Sequence, residues 1–177
     1  MNPFRKVLCG LLFTTHIIYA AGASAETPTD AGTGSIAFRD SSNHMCSMDL
    51  PDYGTEKIYR LLGDDGNICE NLISSTRSWS LSGLPSATSI TLSSDEYCEN
   101  GSTTSVVITL KTIEKRVTTP IRELKVLGDY AINGIVDRGL QLKSRQQRPG
   151  WPITDSIKCM IIKTPTQPPV PPSSTAP

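Results

Sequence analysis

The chain has 177 residues and carries 17 Lys and Arg against 17 Asp and Glu, so its formal charge is zero. That balance excludes the electrostatic footprint expected of a protein that grips a nucleic-acid backbone. Two small basic groups, Lys111/Lys115/Arg116 and Arg138/Lys143/Arg145/Arg148, are interrupted by Glu114, Glu123 and Asp137 and read as solvated faces.

Arg5 and Lys6 precede an apolar run from Val7 to Ala21, and Ala23-Ser24-Ala25 follows it. This is the order of a secretory signal peptide, with cleavage expected before Glu26. Cys9 leaves with that segment. The run is shorter than the roughly 18–20 residues that a spanning helix needs. No later stretch is long and apolar enough either, so the mature product, about 152 residues, is expected to be soluble. Its compartment is the periplasm or the cell exterior, with no membrane insertion after cleavage.

Glu26 to Thr33, rich in Thr, Pro and Gly, reads as a flexible leader. A single β-rich domain is expected over residues 34–163. Gly34 to Phe38 suits a first strand, after which Asp40 to Gly54 is polar and weakly structured, anchored by Cys46. Lys57 to Leu62 is a strand ended by the turn-forming Gly63-Asp-Asp-Gly66. In Thr76 to Ser82, Trp79 and Leu81 alternate with serines, and in Ala87 to Leu92, Ile90 and Leu92 alternate with Ser89 and Thr91. Period-two alternation marks strands with one buried face, and the Gly83-Leu-Pro85 link makes these two sequential strands of one sheet. Ser105 to Ile113 is the clearest strand: Val106, Ile108 and Leu110 share a face and β-branched residues dominate. Ile121 to Leu127 fits a short helix behind Pro120. Tyr130 to Val136, Leu140 to Lys143 and Ile157 to Lys163 complete a set of seven to nine short strands. The expected fold is all-β, a small disulfide-stapled Greek-key sandwich or barrel-like domain. Thr164 to Pro177 holds six prolines and no charge, and reads as a disordered, partly polyproline II tail.

Four cysteines remain after cleavage: Cys46, Cys69, Cys98 and Cys159. An even number in an exported chain reads as a disulfide framework. Spacings of 23, 29 and 61 residues leave no close pair for zinc, and His44 is the only histidine of the mature chain. No metal site is expected. Cys46–Cys69 with Cys98–Cys159, and Cys69–Cys98 with Cys46–Cys159, are the two favoured connectivities.

Catalytic chemistry is thinly represented. His44 lies in a polar stretch beside Cys46, without a Gly-x-Ser-x-Gly elbow or a His-Glu-x-x-His motif. Asp64 and Asp65, and Asp95 and Glu96, would form a carboxylate pair of the glycosidase kind if the fold held them about 5–9 Å apart, but acids in turns commonly serve the backbone. Calcium is the one cofactor that such loop oxygens leave open, although the EF-hand pattern is absent. Asn100-Gly-Ser102 is a formal N-glycosylation sequon. The leading expectation is a non-catalytic binding or inhibitory module for an extracytoplasmic protein or glycan, with contact loops at Asp64, Asp65 and Asn67 and at Asp95, Glu96 and Asn100. A secreted carboxylate-dependent glycan hydrolase or toxin, and a structural surface component tethered by the proline-rich tail, are the alternatives.

Tyr59-Arg-Leu-Leu-Gly-Asp-Asp-Gly66 and Ser86-Ala-Thr-Ser-Ile-Thr-Leu92 resemble the two ends of a βγ-crystallin Greek-key motif. The resemblance spans about 35 residues, Tyr59 to Leu92, and implies a folded hairpin shaped by Tyr59 and Gly66 and pinned by Ser89. It also implies that Cys69–Cys98 staples the ends of the unit. The chain departs from the family in lacking a second motif after Val106. Leu84 and Pro85 stand where the calcium-binding members carry acidic or amide residues.

Overall fold

Antiparallel strands whose side chains alternate between a buried and an open face can exclude water by stacking two sheets, and this chain does so. The computed structural model describes residues 34–61, 69, 76–99 and 105–166. The expected signal peptide, the leader, the 63–66 turn and nearly all of the tail lie outside these residues. The strands are β1 (Ser35–Arg39), β2 (Met45–Asp49), β3 (Glu56–Arg60), β4 (Ser78–Ser82), β5 (Leu84–Pro85), β6 (Ser89–Ser93), β7 (Val106–Thr112), β8 (Arg116–Val117), β9 (Arg122–Glu123), β10 (Ile135–Asp137), β11 (Leu140–Gln147) and β12 (Cys159–Lys163). A four-stranded sheet has the order β2-β1-β4-β9, a six-stranded sheet β10-β11-β7-β6-β12-β3, and β5 and β8 form a short separate ladder. Every pairing is antiparallel. The result is an all-β, disulfide-stapled sandwich with no α-helix among the described residues.

The two inner faces share one core. Phe38 and Trp79 face each other across the β1–β4 register of the small sheet. Ile90, Ile108, Leu110 and Met160 approach from the large sheet, all fully buried in the same cluster. Polar ties join the sheet edges on both flanks. On one, the Tyr59 hydroxyl of β3 donates to the Asp49 carbonyl of β2 at 2.6 Å. Burial pushes that phenol's pKa up, and the Asp49 carboxylate adds to the effect. On the other, Arg122 Nε of β9 donates to Asp137 Oδ2 of β10 at 2.8 Å. Thus β2 closes over β3, and β9 over β10.

Several sequence expectations are corrected. Asp40–Gly54 contains the regular strand β2, in which Cys46 and Met48 are buried between exposed neighbours. β4 and β6 are not neighbours in one sheet: Gly83 turns the chain at φ +66°, and β6 joins the opposing sheet. Residues 121–127 form β9 followed by a 3-10 turn at Leu124–Gly128 rather than a helix of two turns. Of the 130–136 segment only Ile135 and Val136 are strand, in Ile135–Asp137, because Asn133 at φ 66° and the Gly134 N–H to Ala131 carbonyl bond close a turn before them. β11 runs to Gln147, beyond the expected Lys143. At the far end Thr164 and Pro165 are hydrogen-bonded to residues 52–55, with Thr164 Oγ1 donating to the Asp52 carbonyl at 2.5 Å.

The disulfides are Cys46–Cys69 and Cys98–Cys159, the first of the two expected connectivities. The Cys69–Cys98 staple implied by the crystallin resemblance does not form. Cys98 instead reaches β12, with a Cα–Cα distance of 5.4 Å.

Two measurements test this architecture. Replacing both Cys98 and Cys159 with alanine is expected to cost about 4 kcal/mol in urea unfolding, and more than removing Cys46–Cys69, because the closed loop is longer. Trp79→Ala is expected to cost about 3–5 kcal/mol. Trp79→Phe should cost less than half of that, since the buried indole N–H has no hydrogen-bond partner among the described residues.

Candidate functional site

The outer face of the large sheet is set by period-two geometry. Met160 and Ile162 enter the core, so Cys159 and Ile161 point outward. By the same rule β7 presents Val107 and Thr109, and β6 presents Thr91 and Ser93. On β11 the alternation breaks. The register shifts between Leu142 and Ser144, Lys143 being the extra residue, and a bulge of this kind re-aims every following side chain. Leu140 and Leu142 therefore face the core, whereas Ser144 and Gln146 pair with Thr109 and Val107 and join the outer face. Ile58, Ile161, Thr91, Thr109 and Ser144 lie in one cross-strand row.

Above that face runs the segment 94–99 that leaves β6. Ser94 Oγ accepts from the N–H groups of Ser105 and Val106, each at 2.9 Å, closing the base of the loop. Asp95 Oδ1 accepts from the N–H groups of Tyr97 at 2.9 Å and Glu99 at 3.0 Å, a local side-chain turn of the kind aspartate favours. Cys98 adopts φ 59°, uncommon for a residue with a Cβ. The disulfide to Cys159 holds it against the sheet. Tyr97 stands 54 % exposed with the Arg60 guanidinium 4.8 Å from its ring centroid, a cation–π contact.

Between this overhang and β11 lies a trough of about 330 Å³ lined by Thr91, Cys98, Val107, Thr109, Ser144, Arg145, Gln146 and Ile161. The Thr91 and Thr109 hydroxyls are 3.3 Å apart. Arg145 pairs with the core-facing Ile108, and its guanidinium donates to the carbonyls of Leu127, Gly128 and Tyr130. No family model, curated protein or solved structure matches the chain. Its site is therefore read from its own geometry.

Of the residues expected from sequence, Asp64, Asp65, Asn67 and Asn100 lie outside the described residues. Asp95 anchors its own loop, and Glu96 is exposed beside it. No group of three His, Cys, Asp or Glu suited to a metal ion occurs among the described residues. His44 is an exposed loop residue whose Nδ1 lies 2.9 Å from Asp40 Oδ2. Sequence reading placed Thr91 and Thr109 on the polar side of their strands but gave no reason to single them out. Ser144 and Gln146 were missed, because only the bulge brings them to this face.

The Asp40 carboxyl offers a pH test. Burial pushes its pKa up, but hydrogen bonds from the His44 side chain and from the His44 and Ser42 backbone outweigh that and hold it below its ordinary 3.8. A depressed carboxylate stabilises the fold above its unfolded pKa, so the contribution is expected to vanish as pH falls from 3.8 through the folded value. In a carboxyl NMR titration, His44→Ala should move the Asp40 midpoint upward. An unchanged midpoint would show that the imidazole contributes nothing.

Proposed function

We propose that this chain is an exported, non-catalytic binding module that engages an extracytoplasmic protein or glycan through the outer face of its six-stranded sheet. The observation that carries the reading is the trough, whose floor is rigid sheet and whose overhang is fastened by a disulfide. Recognition favours such a setting, because groups already held in place lose little entropy on binding. The chemistry of the face agrees. Besides Arg145 and the Cys98–Cys159 bridge, its side chains are hydroxyls, an amide and aliphatic groups, and the Asp95 carboxylate of the overhang is engaged by backbone N–H groups. Among the described residues no helix is long and apolar enough to cross a membrane. The signal-like segment at residues 1–25 supplies the export part of the proposal.

Affinity capture from an extracytoplasmic extract tests the reading. The oxidised protein is expected to retain a specific protein or glycan, and Thr109→Arg, which projects a long cation from the middle of the face, is expected to release it without altering the thermal unfolding curve. Identical retention by both proteins, or nothing retained by the wild type, counts against the binding face.

A further inference from the structure

We infer that the trough takes a neutral saccharide, a short stretch of an uncharged glycan. The inference rests on the binding-face reading above and commits it to one ligand class.

Charge is the first argument. A trough that bound an anionic ligand would direct a cation into its floor, and one that bound a cation would direct a carboxylate. Among the described residues the one charged side chain in the lining is Arg145, whose guanidinium is turned to the carbonyls of Leu127, Gly128 and Tyr130. Glu56, Lys163 and Lys111 occupy a different cross-strand row, where Lys163 and Glu56 pair with each other at 3.6 Å. Arg60, in the cross-strand row of Val107 and Gln146, is turned to the Tyr97 ring, so the groups that the described lining leaves to the ligand are neutral.

The second argument is the pattern of those groups. Thr91, Thr109 and Ser144 bring three hydroxyls, each able to donate and accept, and Gln146 brings an amide that does both. Val107 and Ile161 add aliphatic surface beside the Cys98–Cys159 bridge. A pyranose has the matching make-up: hydroxyls around its edge, which also donate and accept, and C–H groups on its faces. Tyr97, next in the chain to Cys98, extends the overhang with a ring 54 % exposed, whose face away from Arg60 offers a surface on which a sugar can lie.

Size is the third. At about 330 Å³ the trough stands near the lower end of the roughly 300–1,000 Å³ of small-molecule sites. That suits one or two sugar rings, with the remaining glycan running out along the open sheet face.

Isothermal titration of the oxidised full chain with cellotetraose, maltotetraose, tetra-N-acetylchitotetraose and, as an acidic control, tetragalacturonate tests the assignment. At least one neutral tetrasaccharide is expected to bind with a millimolar or tighter Kd, and tetragalacturonate at least about tenfold more weakly. The isosteric Thr91→Val/Thr109→Val variant keeps the shape of the trough and removes its hydroxyls, and is expected to lose affinity about tenfold or more. Thr109→Arg should abolish binding while near-ultraviolet circular dichroism stays native. Three results each overturn the inference: no binding of any neutral sugar, equal binding of the acidic one, or binding that survives Thr109→Arg in the folded protein. If the sugars fail and Thr109→Arg still releases a protein captured by the wild type, the glycan assignment falls and the binding face stands. If Thr109→Arg changes neither, both fall.

Discussion

The strand Cys159–Lys163 is hydrogen-bonded along both of its edges, to Glu56–Arg60 on one side and to Ser89–Ser93 on the other. The last strand among the described residues thus completes the six-stranded sheet from within. Its inward residues, Met160 and Ile162, add to the core, and its first outward residue, Cys159, anchors the overhang above the trough. Without it the strand that carries Tyr59 would have no partner in the sheet, and that flank of the sandwich would open. Pairings between residues so far apart in sequence must overcome a large loop-closure entropy before they reward it. The two disulfides reduce that cost, and because their loops do not overlap in sequence they do so independently.

Sandwich cores need little from any single residue beyond hydrophobic volume on alternate positions, and for that reason much of this fold was legible in the sequence. Trp79 and Leu81, Ile90 and Leu92, and Val106, Ile108 and Leu110 each declared both a strand and its buried side. Met45–Asp49 was hidden because it holds no β-branched or aromatic residue, so the alternation of buried Cys46 and Met48 passed for a polar loop. Two-residue ladders such as Leu84–Pro85 with Arg116–Val117 leave no periodic trace at all. The assignment of Trp79 and Ile90 to opposite sheets was also beyond reach, since alternation reports which side of a strand is buried and not which sheet holds the strand.

The candidate site was less legible than the core, and the reason is physical. A binding face on the open side of a sheet consists of the residues that look ordinary in the sequence, the serines, threonines and glutamines between the apolar positions. What distinguishes Thr91 and Thr109 is the overhang above them, and that depends on a disulfide between residues 61 apart. The cysteine count suggested such a bridge but left its partners open. The acidic loops attracted notice because carboxylates are chemically conspicuous, yet Asp95 proves to be a scaffold element that shapes the segment leading to Cys98.

The extra residue at Lys143 gives β11 two allegiances. Up to Leu142 the strand serves the interior, and from Ser144 onward the same alternation serves the exterior. What directs the second half is the bulge itself and not the side chains at it. Taking Lys143 into a regular ladder would put Ser144 and Gln146 on the side of Leu142, in the hydrocarbon interior, whereas deleting it would leave Ser144 opposite Thr109 and still facing outward. In related chains the outer face is therefore expected to survive the loss of the extra residue, and to be lost where that residue is drawn into the ladder.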